Sequence, residues 1–243
     1  MASKAAIEHK QRLIIALDLS TAEAAREVID DLRGEVGAFK VGLQLFTAAG
    51  PDLVRELVGQ GINIFLDLKF NDIPNTVGMA AREAARMGVW MFNVHASGGA
   101  EMMRRTVSEV HSVCSEEGLR IPKMIGVTVL TSSDGATLIE TGVGRHVEQQ
   151  VSRLAKLASD SGLDGVVASP REVSAIRQAV HRPDFLVVTP GIRPVSATND
   201  DQRRVKTFAR AVDGGSDFVV VGRPVTNAPN RVEAVRTMLA ETR

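Results

Sequence analysis

With 243 residues and 44% hydrophobic side chains, the chain can bury a full core, as one large domain or two small ones. Its 29 Lys plus Arg balance 29 Asp plus Glu, which argues against a nucleic-acid-binding face, and its one cysteine, Cys114, excludes an intramolecular disulfide or a cysteine-clustered zinc site. No stretch approaches the roughly 18 apolar residues of a membrane span, and the polar extension 1–11 lacks the apolar core of a secretory signal, so a soluble, cytoplasmic protein is expected.

Taken in order, Arg12 to Asp18 is a short apolar run ending in a carboxylate, and a helical pattern follows from Thr21 to Leu32. Ser20 and Glu23 form an S-x-x-E capping box for that helix, which leaves Asp18 without a structural task. Strands are predicted at Ala38 to Val41, Ile62 to Lys69, Trp90 to Val94 and Lys123 to Val129, with helices at Gln44 to Gln60, Thr76 to Met87 and Ala100 to Glu117 between them. The longer connection Leu130 to Arg145 can hold a short helix at Ala136 to Glu140, and loops of this length often serve ligands. Helices at Val147 to Ser161, Arg171 to Val180, Gln202 to Val212 and Asn230 to Glu241 then alternate with strands at Gly165 to Ala168, Phe185 to Val188 and Phe218 to Val221.

Eight short strands, each followed by a helix, imply parallel pairing through crossovers, and eight such units in this length give an α/β fold of the (β/α)8 barrel (TIM barrel) type. No linker or low-complexity tract interrupts them, so residues 1–243 read as a single domain. An open doubly wound sheet is the alternative, but its nucleotide site needs glycines after the first strand, where Asp18-Leu19-Ser20 stands.

In a barrel, functional groups gather at the carboxyl ends of the strands, and Asp18, Lys40, Asp67, Lys69, Thr131, Arg193 and Arg223 all fall there. The densest stretch is Phe65 to Thr76, F-L-D-L-K-F-N-D-I-P-N-T, with Asp67 and Lys69 on one face of a strand and Asp72 in the turn beyond. An ion-pair network across the mouth is a purely structural alternative. Desolvation of each ion costs several kcal/mol, however, so a cluster of this size favours a site. Flanking carboxylates keep such a lysine protonated, ready to deliver a proton to a carbanion of the kind left by loss of carbon dioxide. After the last two strands, P-G-I-R-P (Pro190 to Pro194) and V-G-R-P (Val221 to Pro224) combine glycine amides with arginine, a pattern suited to phosphate. His95 is expected to have a structural strand-end role, and Gly98 and Gly99 to allow close packing at a helix start.

D-L-K-F-N-D-I-P-N-T resembles the signature of the orotidine 5′-phosphate decarboxylase family, in its bacterial branch. The likeness extends through A-L-D, F-K-V-G, N-V-H-A-S-G-G, T-V-L-T-S and the two Gly-Arg loops, with one departure at Asn71, where many members carry histidine. The resemblance implies cofactor-free decarboxylation of orotidine 5′-monophosphate to uridine 5′-monophosphate, the last step of pyrimidine nucleotide synthesis. Lys69 would protonate C6, with Asp67 beside the departing carboxylate and Lys40 and Asp72 completing an alternating network. Asp18 and Lys40 would contact ribose hydroxyls, Thr131 the pyrimidine, and Arg193, Gln202, Gly222 and Arg223 the phosphate region. Asp72 and Thr76 would enter from the second subunit of a homodimer. Metal-dependent sugar-phosphate decarboxylases and aldolases of the same superfamily share D-x-K-x-x-D but place a carboxylate ligand where Lys40 stands, and a non-catalytic nucleotide sensor would have lost the charge network.

Overall fold

The β-branched and apolar runs close into a ring of parallel strands in the computed structural model, which describes residues 8–144, 146–191 and 207–241. The strands are β1 (Leu13–Ala16), β2 (Ala38–Gly42), β3 (Ile64–Phe70), β4 (Met91–His95), β5 (Lys123–Val127), β6 (Gly165–Val167), β7 (Leu186–Pro190) and β8 (Phe218–Val221). Each pairs with the next in sequence, and β8 returns to β1 with Val219 opposite Leu13, so the eight-stranded barrel has no open edge. The doubly wound alternative is thereby excluded.

The outer layer holds α1 (Ala22–Leu32), α2 (Leu43–Gly59), α3 (Pro74–Arg86), α4 (Gly99–Glu117), α5 (Gly135–Glu140), α6 (Val147–Asp160), α7 (Val173–Ala179), α8 (Phe208–Asp213), α9 (Arg223–Thr226) and α10 (Arg231–Ala240). Two expectations change here. Thr21, not Ser20, caps α1: its Oγ1 accepts from the Ala24 N–H at 3.2 Å, while Ser20 Oγ accepts from Gln44 Nε2. The helix expected at Gln44 to Gln60 is two segments joined at Gly50, whose φ of 72° breaks the helical path ahead of Pro51. The expected start of the Gln202 to Val212 helix lies outside the described residues, as does Arg145.

Period-two alternation divides the strand residues between two cores. Leu13, Ile15 and Leu17 belong to the layer shared with the helices, whereas Ile14 and Ala16 belong to a smaller cluster inside the barrel with Ala38, Phe65, Met91, Ile125, Val188, Phe218 and Val220. That inner cluster decides where the polar groups go. Two residues beyond Ala38, Phe65 and Met91 on the same inward face stand Lys40, Asp67 and Asn93, so a charged layer sits directly on an apolar one.

Candidate active site

The charged layer opens into a cavity of about 610 Å³ at the carboxyl ends of the strands. Phe65, Val127, Val167 and Val220 supply apolar wall, and Asp18, Lys40, Asp67 and Lys69 line one side. Lys40 and Asp67 are each only 9% exposed. Lys69 Nζ donates to Asp67 Oδ1 at 2.7 Å, Lys40 Nζ lies 3.2 Å from Asp67 Oδ2, and Lys40 Nζ donates to Asp18 Oδ1 at 3.0 Å. The result is an unbroken alternation, Asp18, Lys40, Asp67, Lys69, in which each lysine meets a carboxylate and Asp67 meets both lysines. Asp18, which had no role in the helix cap, is the outer and more solvated anchor of that series.

Sequence reasoning passed over three contributors. Asn93, 1% exposed, donates from Nδ2 to Asp67 Oδ1 at 2.7 Å and accepts the Lys69 backbone N–H on Oδ1 at 2.8 Å. Its signal was the one that exposed Asp67, a polar side chain in an otherwise apolar strand. At Gly42 a Cβ would lie 3.0 Å from Lys40 Nζ and 3.4 Å from Asp18 Oδ1, so the missing side chain leaves space for their contact. The apolar wall was missed because valines in β-strands carry no signal that separates site from core.

Of the remaining expected residues, Thr131, Gly222 and Arg223 line the same cavity. Arg193 and Gln202 lie outside the described residues. Asp72 and Thr76 are exposed, and the Asp72 carboxylate accepts the Ile73 N–H at 2.6 Å. His95 is half-buried at the end of β4. Burial holds its imidazole below the ordinary histidine range, the Lys69 charge adds to that, and Asp67 opposes it, so a neutral ring is favoured. Gly98 fits the close-packing expectation, since a Cβ there would lie 2.3 Å from Met102 Sδ, but Gly99 does not: a Cβ there would meet nothing within 4 Å, and its φ of 89° is what favours glycine.

A second cavity, about 500 Å³, opens at the amino-terminal ends of β1, β7 and β8 beside Arg12, Arg177 and Asp217. Arg177 is committed to the scaffold there: it donates to the Gly215 carbonyl at 2.8 Å, to Asp217 Oδ2 at 2.6 Å and to the Phe185 carbonyl. The linked lysines and aspartates are all at the opposite end.

Residues 11–238 match the family model described as orotidine 5′-phosphate decarboxylase / HUMPS family. The chain belongs to that family. Among orotidine 5′-phosphate decarboxylases it is 52% identical to the protein of Syntrophotalea carbinolica, covering 97% of this chain and 96% of the relative. It is 49% identical to that of Geotalea daltonii, covering 96% and 97%. The crystal structure of orotidine 5′-phosphate decarboxylase from Lactobacillus acidophilus superimposes with a TM-score of 0.82 at 38% identity, over 94% of this chain and 97% of that one. The decarboxylase family expected from D-L-K-F-N-D-I-P-N-T and the (β/α)8 barrel expected from the eight strand–helix units are therefore both found.

Proposed function

We propose that the chain decarboxylates orotidine 5′-monophosphate to uridine 5′-monophosphate, with the reacting carbon beside Lys69 and without a metal or organic cofactor. The observation that carries this reading is the alternation Asp18, Lys40, Asp67, Lys69 at the mouth of a nucleotide-sized cavity. In the reaction the bond from C6 to the carboxylate breaks, carbon dioxide leaves, and the electron pair stays at C6 in an in-plane orbital with no ring position to accept it. A fixed cation must face that charge. Two unit charges about 4 Å apart attract by roughly 4 kcal/mol at an effective dielectric of about 20, and a preorganised ammonium incurs no reorganisation cost at that moment. The proton on Lys69 Nζ then passes to C6, and solvent restores it.

Asp67 is assigned to the side of the departing carboxylate, where it also fixes the Lys69 head. Asp18 and Lys40 are assigned to the ribose hydroxyls and Thr131 to the pyrimidine. Gly222 and Arg223 face the cavity from the end of β8 and suit the phosphate, and we extend that role to Arg193 and Gln202 on the strength of P-G-I-R-P and its sequence neighbourhood. Lys40 also supports the cofactor-free reading over the metal-dependent one. Its ammonium bridges Asp18 and Asp67, so a divalent ion seeking those carboxylates would meet a resident cation.

A homodimer with shared sites is part of the proposal. Asp72 and Thr76 are exposed beside Ile73, which is 66% exposed, and a second copy would cover that apolar side chain while bringing both polar ones to a neighbouring cavity. Among the described residues no helix is long and apolar enough to cross a membrane, and cytoplasmic action is the expected setting.

The test is turnover of orotidine 5′-monophosphate followed by ultraviolet absorbance, with and without chelator, for the wild-type chain and Lys69→Ala. Expected are chelator-insensitive turnover by the wild type, and loss of turnover by Lys69→Ala with binding of uridine 5′-monophosphate retained. Undiminished turnover by Lys69→Ala would remove the proton-donor role, and activity lost to chelator and restored by Mg²⁺ would overturn the cofactor-free reading.

A further inference from the structure

We propose that Asn93 is a positioning residue that holds Lys69 in its working geometry through one closed ring of hydrogen bonds. The kinetic consequence rests on the decarboxylase reading above; the geometric one does not.

Lys69 is the one non-glycine residue with positive φ among the described residues, at 53°. For an L-residue this left-handed conformation is strained, because Cβ crowds the following carbonyl, and a lysine offers no local hydrogen bond to offset it. The strain coincides with a break in the sheet. β3 pairs with β4 at Phe65 and Leu66, resumes at Phe70, and shifts register between them. Such a bulge re-aims a side chain but takes a backbone group out of the ladder. Here the Lys69 N–H is accepted by the side chain of Asn93 at 2.8 Å.

The same amide reaches the other end of the lysine. Asn93 Nδ2 donates to Asp67 Oδ1 at 2.7 Å, and that oxygen also accepts from Lys69 Nζ at 2.7 Å. Backbone N–H, amide, carboxylate and ammonium thus close on one another. A donor at Lys69 and an acceptor at Asp67 allow only one amide orientation, so the assignment of oxygen and nitrogen in Asn93 follows from its partners. Because Asn93 is 1% exposed, bulk water cannot replace either bond. Few side chains fit the demand. Leucine has the size but neither bond, glutamine carries the amide one methylene too far, and aspartate at neutral pH accepts but cannot donate and sets a second charge against Asp67.

That last difference separates positioning from simple packing. A protonated carboxyl matches the amide, since its carbonyl accepts and its hydroxyl donates, so Asn93→Asp should be rescued by acid. The titratable groups around the introduced carboxyl are Asp67 and Lys69 from β3, Lys40 from β2 through Asp67, and His95 from β4 itself; β5 sets Ile125 opposite position 93 and adds none. All of these are present in the wild type, so the ratio of variant to wild-type kcat isolates the new group.

The experiment measures kcat for wild type, Asn93→Leu and Asn93→Asp from pH 5 to 9, the affinity of each for uridine 5′-monophosphate by calorimetry, and a crystal structure of Asn93→Leu. Expected is about a 100-fold fall in kcat for Asn93→Leu, the scale of a misplaced catalytic group, with affinity for the mononucleotide held within about threefold. In the crystal Lys69 leaves positive φ. For Asn93→Asp the ratio to wild type climbs at least about tenfold as pH falls, the response of a group that works only when protonated. The proposal is overturned if Asn93→Leu retains kcat within about threefold of wild type, if Lys69 keeps its positive φ without the amide, or if the Asn93→Asp ratio is flat with pH. Should Asn93→Leu fail to fold, the Asn93→Asp ratio decides. Should the wild type fail to decarboxylate the nucleotide, the proposed activity falls while the Lys69 backbone in Asn93→Leu still decides the geometric claim.

Discussion

Lys40 Nζ lies 3.2 Å from Asp67 Oδ2, and both residues are 9% exposed. Asp67 keeps Lys69 and Asn93 if Lys40 is removed, but one oxygen loses its cation in a poorly solvated place. Lys40→Met should therefore lower stability by about 1–3 kcal/mol and kcat/KM by about 100-fold or more. Adding Asp67→Asn to Lys40→Met removes the stranded charge, so the double variant should recover part of the lost Tm while staying inactive. A double variant whose loss of stability equals the sum of the two single losses would mean that the two side chains are not energetically coupled.

Gly42 separates packing from charge more gently. Its φ of −97° is open to any residue, so Gly42→Ala strains no backbone, yet the new Cβ would sit 3.0 Å from Lys40 Nζ. The lysine head must give way and its contact with Asp18 lengthens. Expected are a Tm within about 2 °C of wild type and a loss of about tenfold in kcat/KM, in line with sub-ångström misplacement of a binding group. Unchanged kinetics would show that the Lys40 to Asp18 spacing has slack.

Much of this site was legible in the sequence because the barrel converts a period of two into a place. Ala38, Phe65 and Met91 are core residues, and the polar residue two positions beyond each must enter the same interior one layer higher. Hence Lys40 and Asp67 could be placed from pattern alone, and Asn93 could have been, had its amide been weighed like a charge. The cap of α1 was misplaced because Ser20 and Thr21 both carry a cap-competent hydroxyl and the S-x-x-E spacing to Glu23 favours Ser20, whereas the chain direction puts Thr21 in the cap. The kink in α2 did carry a signal, the pair Gly50-Pro51, set within an apolar pattern that continues on either side. The positive φ of Lys69 had none. It arises from the register shift between β3 and β4, a tertiary event that no property of lysine announces.

Glu172 gives a pH-dependent expectation away from the site. Burial pushes its carboxyl above the ordinary range; the Ser169 N–H, which it accepts at 2.8 Å, pulls it down, Glu148 raises it and Arg171 lowers it. An acid whose folded value is raised holds its proton more tightly when folded. The stability it contributes is present below its unfolded value of about 4.3 and is lost as pH rises through the folded one. Glu172→Gln keeps an acceptor for Ser169 and cannot ionise. Its Tm should exceed wild type by about 1–3 °C at pH 7 to 8, and the gain should vanish as pH is lowered toward about 4. A variant less stable than wild type at pH 8 would contradict the sign.

Shared active sites can be tested by mixing two dead chains. Asp72 is exposed in its own chain, engages the adjacent Ile73 N–H, and stands next to an isoleucine that a monomer would leave in water. If Asp72 serves the neighbouring cavity, a Lys69→Ala chain still offers its Asp72 to a partner, and an Asp72→Ala chain still offers its Lys69. A heterodimer of the two then has one intact site and one doubly defective site. Random mixing makes half the dimers heterodimers, so refolding or coexpressing equal amounts should restore about a quarter of wild-type activity, while each variant alone stays inactive. Two intact residues on the same chain can never arise from this pair. Recovered activity therefore requires Lys69 and Asp72 to meet across the interface, and none recovered from a purified heterodimer would place Asp72 outside the neighbour's site.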